Sequence, residues 1–181
     1  IAHIHCEDVF GIVGENFTFP VKVDRKPVEP IWKKNKDKVA EWEGQNEPTY
    51  FGPLRNRSVL MESGSLTIVN LEKDDAGTYE LQYWDSARDR SLNFVLVVLD
   101  PLPEPKISCN TSNHKLVLNC TANFQRPLNY TWKLRSNTQS YQKQELSIPL
   151  KDVDTTTNAT CIIKFSQTKR SSEISLIQCV P

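Results

Sequence analysis

The sequence predicts an all-β chain folded as two small tandem sandwiches, and three observations predict it. Short segments of alternating apolar and polar residues recur between turn residues, and no stretch sustains a helical period. A seam at Asp100-Pro101-Leu102-Pro103-Glu104-Pro105 carries three alternating prolines, which fix φ, remove donors and favour extended backbone. It reads as a stiff linker, residues 100–105, between a domain over 1–99 and another over 106–181. Four of the five cysteines fall after the seam, so the two halves are stabilised by different means.

Composition excludes several classes. The 22 Lys+Arg balance 22 Asp+Glu, which argues against nucleic acid and against a polybasic membrane surface as partner. At 38% apolar and 24% charged residues the chain is globular rather than disordered. The longest apolar run, Phe94 to Leu99, is six residues, the length of a buried strand and far short of a bilayer span. The zero net charge conceals a split. Residues 1–99 hold 12 basic and 16 acidic side chains, net −4; residues 100–181 hold 10 basic and 6 acidic, net +4.

Cysteine usage and sequons fix the compartment. Asn-x-Ser/Thr begins at Asn16, Asn56, Asn110, Asn119, Asn129 and Asn158, and six sequons beside clustered cysteines point to the secretory route. Asn119 is the poorest acceptor, because Cys120 sits inside its sequon. No Cys-x-x-Cys supports zinc. Cys6 has no partner by count.

The first half offers strands over Val9–Val13, Asn16–Val23, Ile31–Asn35, Val39–Glu43, Ser58–Glu62, Ser65–Leu71, Gly77–Trp84 and Leu92–Leu99. Asp75-Ala76-Gly77-Thr78-Tyr79 is the most specific signal. It resembles the tyrosine corner of immunoglobulin domains, where the Tyr hydroxyl bonds back to the backbone before the sixth main strand. Asp75 is expected to pair with Arg57. Where an antibody domain carries its second cysteine, two residues after the Tyr, stands Leu81. Phe17, Phe19 and Val21 alternate inward on the facing strand, with Val21 in the other cysteine's place, so no inter-sheet disulfide is expected. Extra strands between Val39 and Phe51 make this domain variable-type, with a broad sheet of strands G, F, C, C′ and C″.

In the second half four cysteines allow three pairings. Cys120 and Cys161, with Trp132 between them, resemble the Cys…Trp…Cys pattern of an immunoglobulin sandwich, which implies Cys120–Cys161 across the core and leaves Cys109–Cys179 near the domain ends. This domain is shorter in the middle and reads as constant-type.

A variable-type domain without its disulfide, then a constant-type domain with two, is the plan of the lymphocyte adhesion receptors of the signalling lymphocytic activation molecule family. Trp32-Lys33-Lys34-Asn35-Lys36-Asp37-Lys38-Val39-Ala40-Glu41 and Ser63-Gly64-Ser65-Leu66-Thr67-Ile68 closely resemble one member, as does the linker with its Leu-Pro. That member is the cell-surface ligand of the family's T-cell adhesion receptor. The resemblance implies a cell-surface, extracellular adhesion ligand that docks head to head with that receptor and supports T-cell costimulation. It also implies a membrane anchor after Pro181, with the second domain as a stalk. The family's mature chain starts near Glu7, so residues 1–6 read as a signal remnant.

The binding residues follow from charge and from the resemblance together. Residues 29–43 hold eight charged side chains, Glu29, Lys33, Lys34, Lys36, Asp37, Lys38, Glu41 and Glu43. A solvated strand edge is the other reading of such charge. Alternation puts Lys33, Glu41 and Glu43 outward with Trp32 and Trp42 inward. The resemblance places all eight, with Phe51, on the receptor-contacting positions. Phe51 reads equally as minor core; Trp84 falls outward, as a contact or as cover for a loop. No sequon falls on C, C′, F or G, so a bulky glycan leaves that face bare.

No enzyme is expected. The chain has 3 His and lacks Gly-x-Ser-x-Gly, His-Glu-x-x-His and phosphate-loop patterns, so no cofactor, metal or small-molecule substrate is expected. His3 behind Ile1-Ala2, with His5 and Cys6, forms a copper or nickel clamp only if Ile1 is a true amino terminus. Two other functions fit the same residues: a paralogue or viral mimic that binds another receptor of the family, and a secreted structural module.

Overall fold

In a computed structural model, which describes residues 6–44, 46–86, 88–134 and 140–181, the chain divides into two compact units, residues 1–101 and 102–181. The division falls within the Pro-rich seam. Both units are all-β sandwiches of immunoglobulin type.

In the first unit the strands are β1 (Cys6–Ile12), β2 (Phe17–Thr18), β3 (Val28–Lys34), β4 (Asp37–Glu41), β5 (Thr49–Tyr50), β6 (Ser58–Leu60), β7 (Leu66–Ile68), β8 (Gly77–Asp85) and β9 (Arg88–Leu99). They form a six-stranded sheet in the order β1-β9-β8-β3-β4-β5 and a three-stranded sheet β2-β7-β6. The larger sheet corresponds to G, F, C, C′ and C″ (β9, β8, β3, β4, β5), with β1 added in parallel to β9.

Aromatic packing fills the centre where a disulfide would bridge the sheets. Phe19, Trp32, Tyr79, Leu81 and Phe94 are all 2% exposed or less. The Phe19 ring lies 4.9 Å from Trp32, 4.7 Å from Tyr79 and 5.4 Å from Phe94, centroid to centroid. Each such side chain contributes about 1.5–3 kcal/mol of apolar burial. Phe19, rather than Val21, is the fully buried member of its segment; Val21 sits half-buried at the core margin. The expected strand over Asn16–Val23 shortens to Phe17–Thr18 because Pro20 supplies no ladder donor. Phe19 still donates its N–H to the Leu66 carbonyl at 3.0 Å.

The tyrosine corner forms as expected. The Tyr79 hydroxyl donates to the Asp75 carbonyl at 2.6 Å. Arg57 grips the Asp75 carboxylate with both terminal nitrogens, at 2.7 and 3.0 Å, and Glu72 N–H donates to it at 2.8 Å. Asp75 is buried, and these three donors offset its desolvation.

In the second unit β10 (Lys106–Ser112), β11 (Lys115–Thr121) and β14 (Glu145–Pro149) form one sheet. The other runs β13-β12-β15-β16, from β12 (Asn129–Leu134), β13 (Ser140–Tyr141), β15 (Asn158–Phe165) and β16 (Thr168–Ser175). The short β13 thus extends the C-F-G sheet of the constant-type plan. Cys120–Cys161 bridges the two sheets beside buried Trp132, and Cys109–Cys179 joins β10 to the turn after β16. The Trp132 indole donates to the Gln144 carbonyl at 3.0 Å. Residues of the seam are held by this unit: Arg170 donates to the Leu102 carbonyl at 2.8 Å and Ser172 to the Pro105 carbonyl at 2.6 Å.

Cys6 opens β1, in register with Asn93, and is exposed with its thiol free. His3 and His5 lie outside the described residues. Among the described residues no helix is long and apolar enough to cross a membrane.

Candidate protein-binding face

The β3–β4 hairpin turns on Asn35 and Lys36, both in the left-handed region at φ 48° and 77°. Two such residues in succession make a type I′ turn, whose twist matches the strands it joins. The Asn35 side chain accepts the Thr78 N–H at 3.0 Å, and its own N–H donates to the Thr78 carbonyl at 2.7 Å, so the tip is fastened to β8.

A bulge follows in β4. Trp32 pairs with Ala40 but Lys33 with Lys38, which leaves Val39 as the extra residue. Val39 and Ala40 are both buried as a result. Without the bulge, residues three apart on a strand would face opposite ways. With it, Lys38 and Glu41 emerge on the same outer face and pair at 2.9 Å. The Lys38 ammonium also lies 5.6 Å from the Phe51 ring centroid. Among the described residues, buried Oε2 of Glu41 meets no partner other than this ammonium.

Register assembles the rest of the face. Lys33 on β3 sits between Lys38 on β4 and Glu80 on β8. Glu80 accepts the Ser91 hydroxyl from β9 at 3.1 Å. One row further, Ile31 lies between Glu41 and Gln82. A second bulge, at Glu29-Pro30, sets two residues of β3 opposite Tyr83, with Glu29 at φ 49°. Beyond it Val28 faces Trp84, and both are half-exposed, at 54% and 44%. Glu29, Ile31, Gln82, Trp84, Asp89 and Arg90 line a shallow cleft there.

Of the residues singled out from the sequence, Lys33, Lys38, Glu41 and Trp84 come together on this face, with Glu29 at the cleft and Phe51 half-buried beside Lys38. Lys36 and Asp37 are exposed at the hairpin tip, and Glu43 is exposed past β4 beside half-buried Trp42. Lys34 does not join them. It alternates away from Lys33, and its ammonium donates to the Asp74 carbonyl at the domain end. Glu80, Gln82 and Ile31 were missed. Inward-facing Tyr79, Leu81 and Tyr83 already imply that Glu80 and Gln82 face out, but a count of charged residues by segment does not flag them.

Among the described residues Lys33, Lys36, Asp37, Glu29 and Glu43 make no ion pair within the unit. These charges stay available to a partner, whereas Lys38 and Glu41 already neutralise each other. Separate exposed pairs are worth about 0–1 kcal/mol. Among the described residues no cluster of three or more His, Cys, Asp or Glu could hold a metal. None of the six sequon asparagines lies on β3, β4, β5, β8 or β9.

No family model matches the chain. Human lymphocyte function-associated antigen 3 is 35% identical over 98% of this chain and 75% of its own length. T-cell surface antigen CD2 of the rat is 30% identical over 81% of this chain, which spans 46% of that protein. Among solved structures, the CD2-binding domain of CD58 (lymphocyte function-associated antigen 3) matches with a TM-score of 0.54 at 26% identity, covering 94% of this chain and 97% of that one. The chain matched in a complex of a mouse coronavirus receptor-binding domain with its murine receptor has a TM-score of 0.55 at 18% identity, over 92% of this chain and 94% of that one, a likeness of fold alone.

Proposed function

Because the chain belongs to the family of lymphocyte function-associated antigen 3, we propose that it is a cell-surface adhesion ligand whose first domain binds a CD2-type receptor. The contact surface is the outer face of β9, β8, β3, β4 and β5, and the two immunoglobulin domains meet head to head, in support of T-cell costimulation. On this reading the chain falls with the signalling lymphocytic activation molecule family and acts as a binding module rather than an enzyme. The observation that carries the reading is the likeness over nearly the whole chain to a domain described as CD2-binding. The 30% identity to CD2 itself supports a ligand and receptor of one ancestry, whose like faces meet.

Physics favours a weak, fast contact. An interleaved charged face raises the association rate and selects partners more than it holds them. Many copies on two apposed cells then supply avidity. The contacting residues are Lys33, Lys38, Glu41, Glu29, Phe51 and Trp84, with Lys36, Asp37 and Glu43 at the rim; Lys34 contributes through the fold rather than by touch. Glycans at the six sequons leave this face clear, and the Pro-rich seam is the linker.

The test is binding of the soluble chain to a recombinant CD2-type receptor, with Lys33→Glu as the diagnostic variant. A loss of binding of tenfold or more supports the face; unchanged binding removes it. One observation favours a second reading, a different receptor of the same family. Val28 and Trp84, opposite each other in register and both exposed, add an apolar spot at one end of a largely ionic face. Such a pair selects a partner with a matching apolar spot.

A further inference from the structure

The other sheet of the first unit carries an unexplained apolar strip. On β6 and β7 the buried side chains Leu60, Leu66 and Ile68 point inward, so their neighbours face solvent. Val59 is 49% exposed, Met61 43% and Val69 39%. Scattered apolar residues on a surface are ordinary; three on one face of a three-stranded sheet form a patch. Val59 lies opposite Thr67, whose hydroxyl donates to the Met61 sulfur at 3.5 Å and pairs with Thr18 at 2.7 Å.

Thr18 is the third residue of the sequon that begins at Asn16. With Phe17 opposite Ile68 and Thr18 opposite Thr67, Asn16 falls beside Val69 and Asn70. Its side-chain oxygen accepts the Asn70 N–H at 3.1 Å. Among the described residues the amide nitrogen, the atom that carries an N-linked sugar, makes no hydrogen bond. The linkage is therefore anchored at the end of the strip with its attachment atom free. By contrast, the Asn158 amide nitrogen donates to Glu173 at 2.7 Å.

We infer that the first sugars of a glycan on Asn16 lie over the Val69–Val59–Met61 strip, as a covalently attached cover that replaces a protein partner on that face. N-acetylglucosamine suits the role. Its methyl group and the C–H face of its ring are apolar, while its hydroxyls keep the outer surface wet. Asn56 starts from the turn before β6, and among the described residues its side chain makes no bond that directs a sugar across the sheet.

Met61 is the only methionine of the chain, so a 13C label on its methyl group gives a single resonance. In the chain made by secretory expression, with Asn16 occupancy read by mass spectrometry, that methyl should show through-space contacts to N-acetylglucosamine protons. The contacts should persist in Asn56→Gln and vanish in Asn16→Gln. They should vanish equally when N-glycans are removed enzymatically from the folded chain, which covers the case of a poorly folding variant. Three results each overturn the inference: an unmodified Asn16, an occupied Asn16 with no sugar contact to Met61, or contacts that survive in Asn16→Gln. Concentration-dependent broadening of the Met61 resonance in the fully glycosylated chain would also overturn it, because a second copy would then occupy the strip.

Discussion

Lys33 and Lys34 are adjacent and carry the same charge, yet alternation gives them different work. Lys33 lies in the outer row between Lys38 and Glu80, whereas Lys34 holds the Asp74 carbonyl. Lys33→Glu is expected to weaken receptor binding at least tenfold and leave thermal stability within a few degrees. Lys34→Glu is expected to act through stability, by about 1 kcal/mol for the lost bond, with little change in affinity. Paired melting and binding measurements on the two variants separate these effects. Tyr79 offers a second residue-scale test. Burial, and next the Asp75 charge, push its hydroxyl well above the ordinary tyrosine range, while Arg57 opposes them. A raised folded-state value means that the stability it brings is fully present below the unfolded value of about 10 and is lost as pH climbs past it. The first unit should therefore lose stability above about pH 10, and Tyr79→Phe should flatten that loss in denaturant titrations while lowering stability at neutral pH by about 1 kcal/mol. The bond from Tyr79 to Asp75 was legible in the sequence because a tyrosine corner has fixed local spacing, and the pairing of Asp75 with Arg57, eighteen residues away, because the segment resembles an immunoglobulin domain. The diversion of Lys34 was not, since its partner is a carbonyl forty residues away.

At the scale of elements, two bulges decide what the face displays. The extra Val39 turns Lys38 and Glu41 to the same side, and the Glu29-Pro30 bulge opens the cleft beside Trp84. Neither is written in apolar periodicity, which treats each strand as unbroken. Most strands were legible for the opposite reason, that inward apolar side chains alternate cleanly, as Tyr79, Leu81 and Tyr83 do along β8 and Phe94, Leu96 and Val98 along β9. The segment after Thr18 was over-read because Pro20 ends the ladder there. The β3–β4 turn is the element most open to a direct test. Asn35→Ala replaces a left-handed residue that also caps the Thr78 N–H. It should cost about 1–3 kcal/mol and lower affinity for the receptor by displacing the hairpin. Hydrogen exchange at Thr78 would report the loss locally.

For the molecule as a whole, the neutral total resolves into an acidic first half and a basic second half, 12 against 16 and 10 against 6. The two units are also stabilised differently. The first relies on an aromatic core, and the second on disulfides that close loops of 41 and 70 residues. Opening Cys120–Cys161 should cost the second unit about 2–5 kcal/mol and leave the first unchanged. Calorimetry with and without reductant should accordingly move one transition only. The charge pattern of the first unit leads to the central claim, that an ionic sheet face recognises a receptor of the same fold. The most direct measurement follows association of the soluble chain with a recombinant CD2-type receptor by surface plasmon resonance across ionic strength, for the native chain and for Lys33→Glu. The predicted result is an association rate that falls several-fold as salt rises from about 0.05 to 0.5 M, where the Debye length shortens from over ten to a few ångströms, together with loss of binding in Lys33→Glu. A rate independent of salt, or full binding by Lys33→Glu, would contradict it.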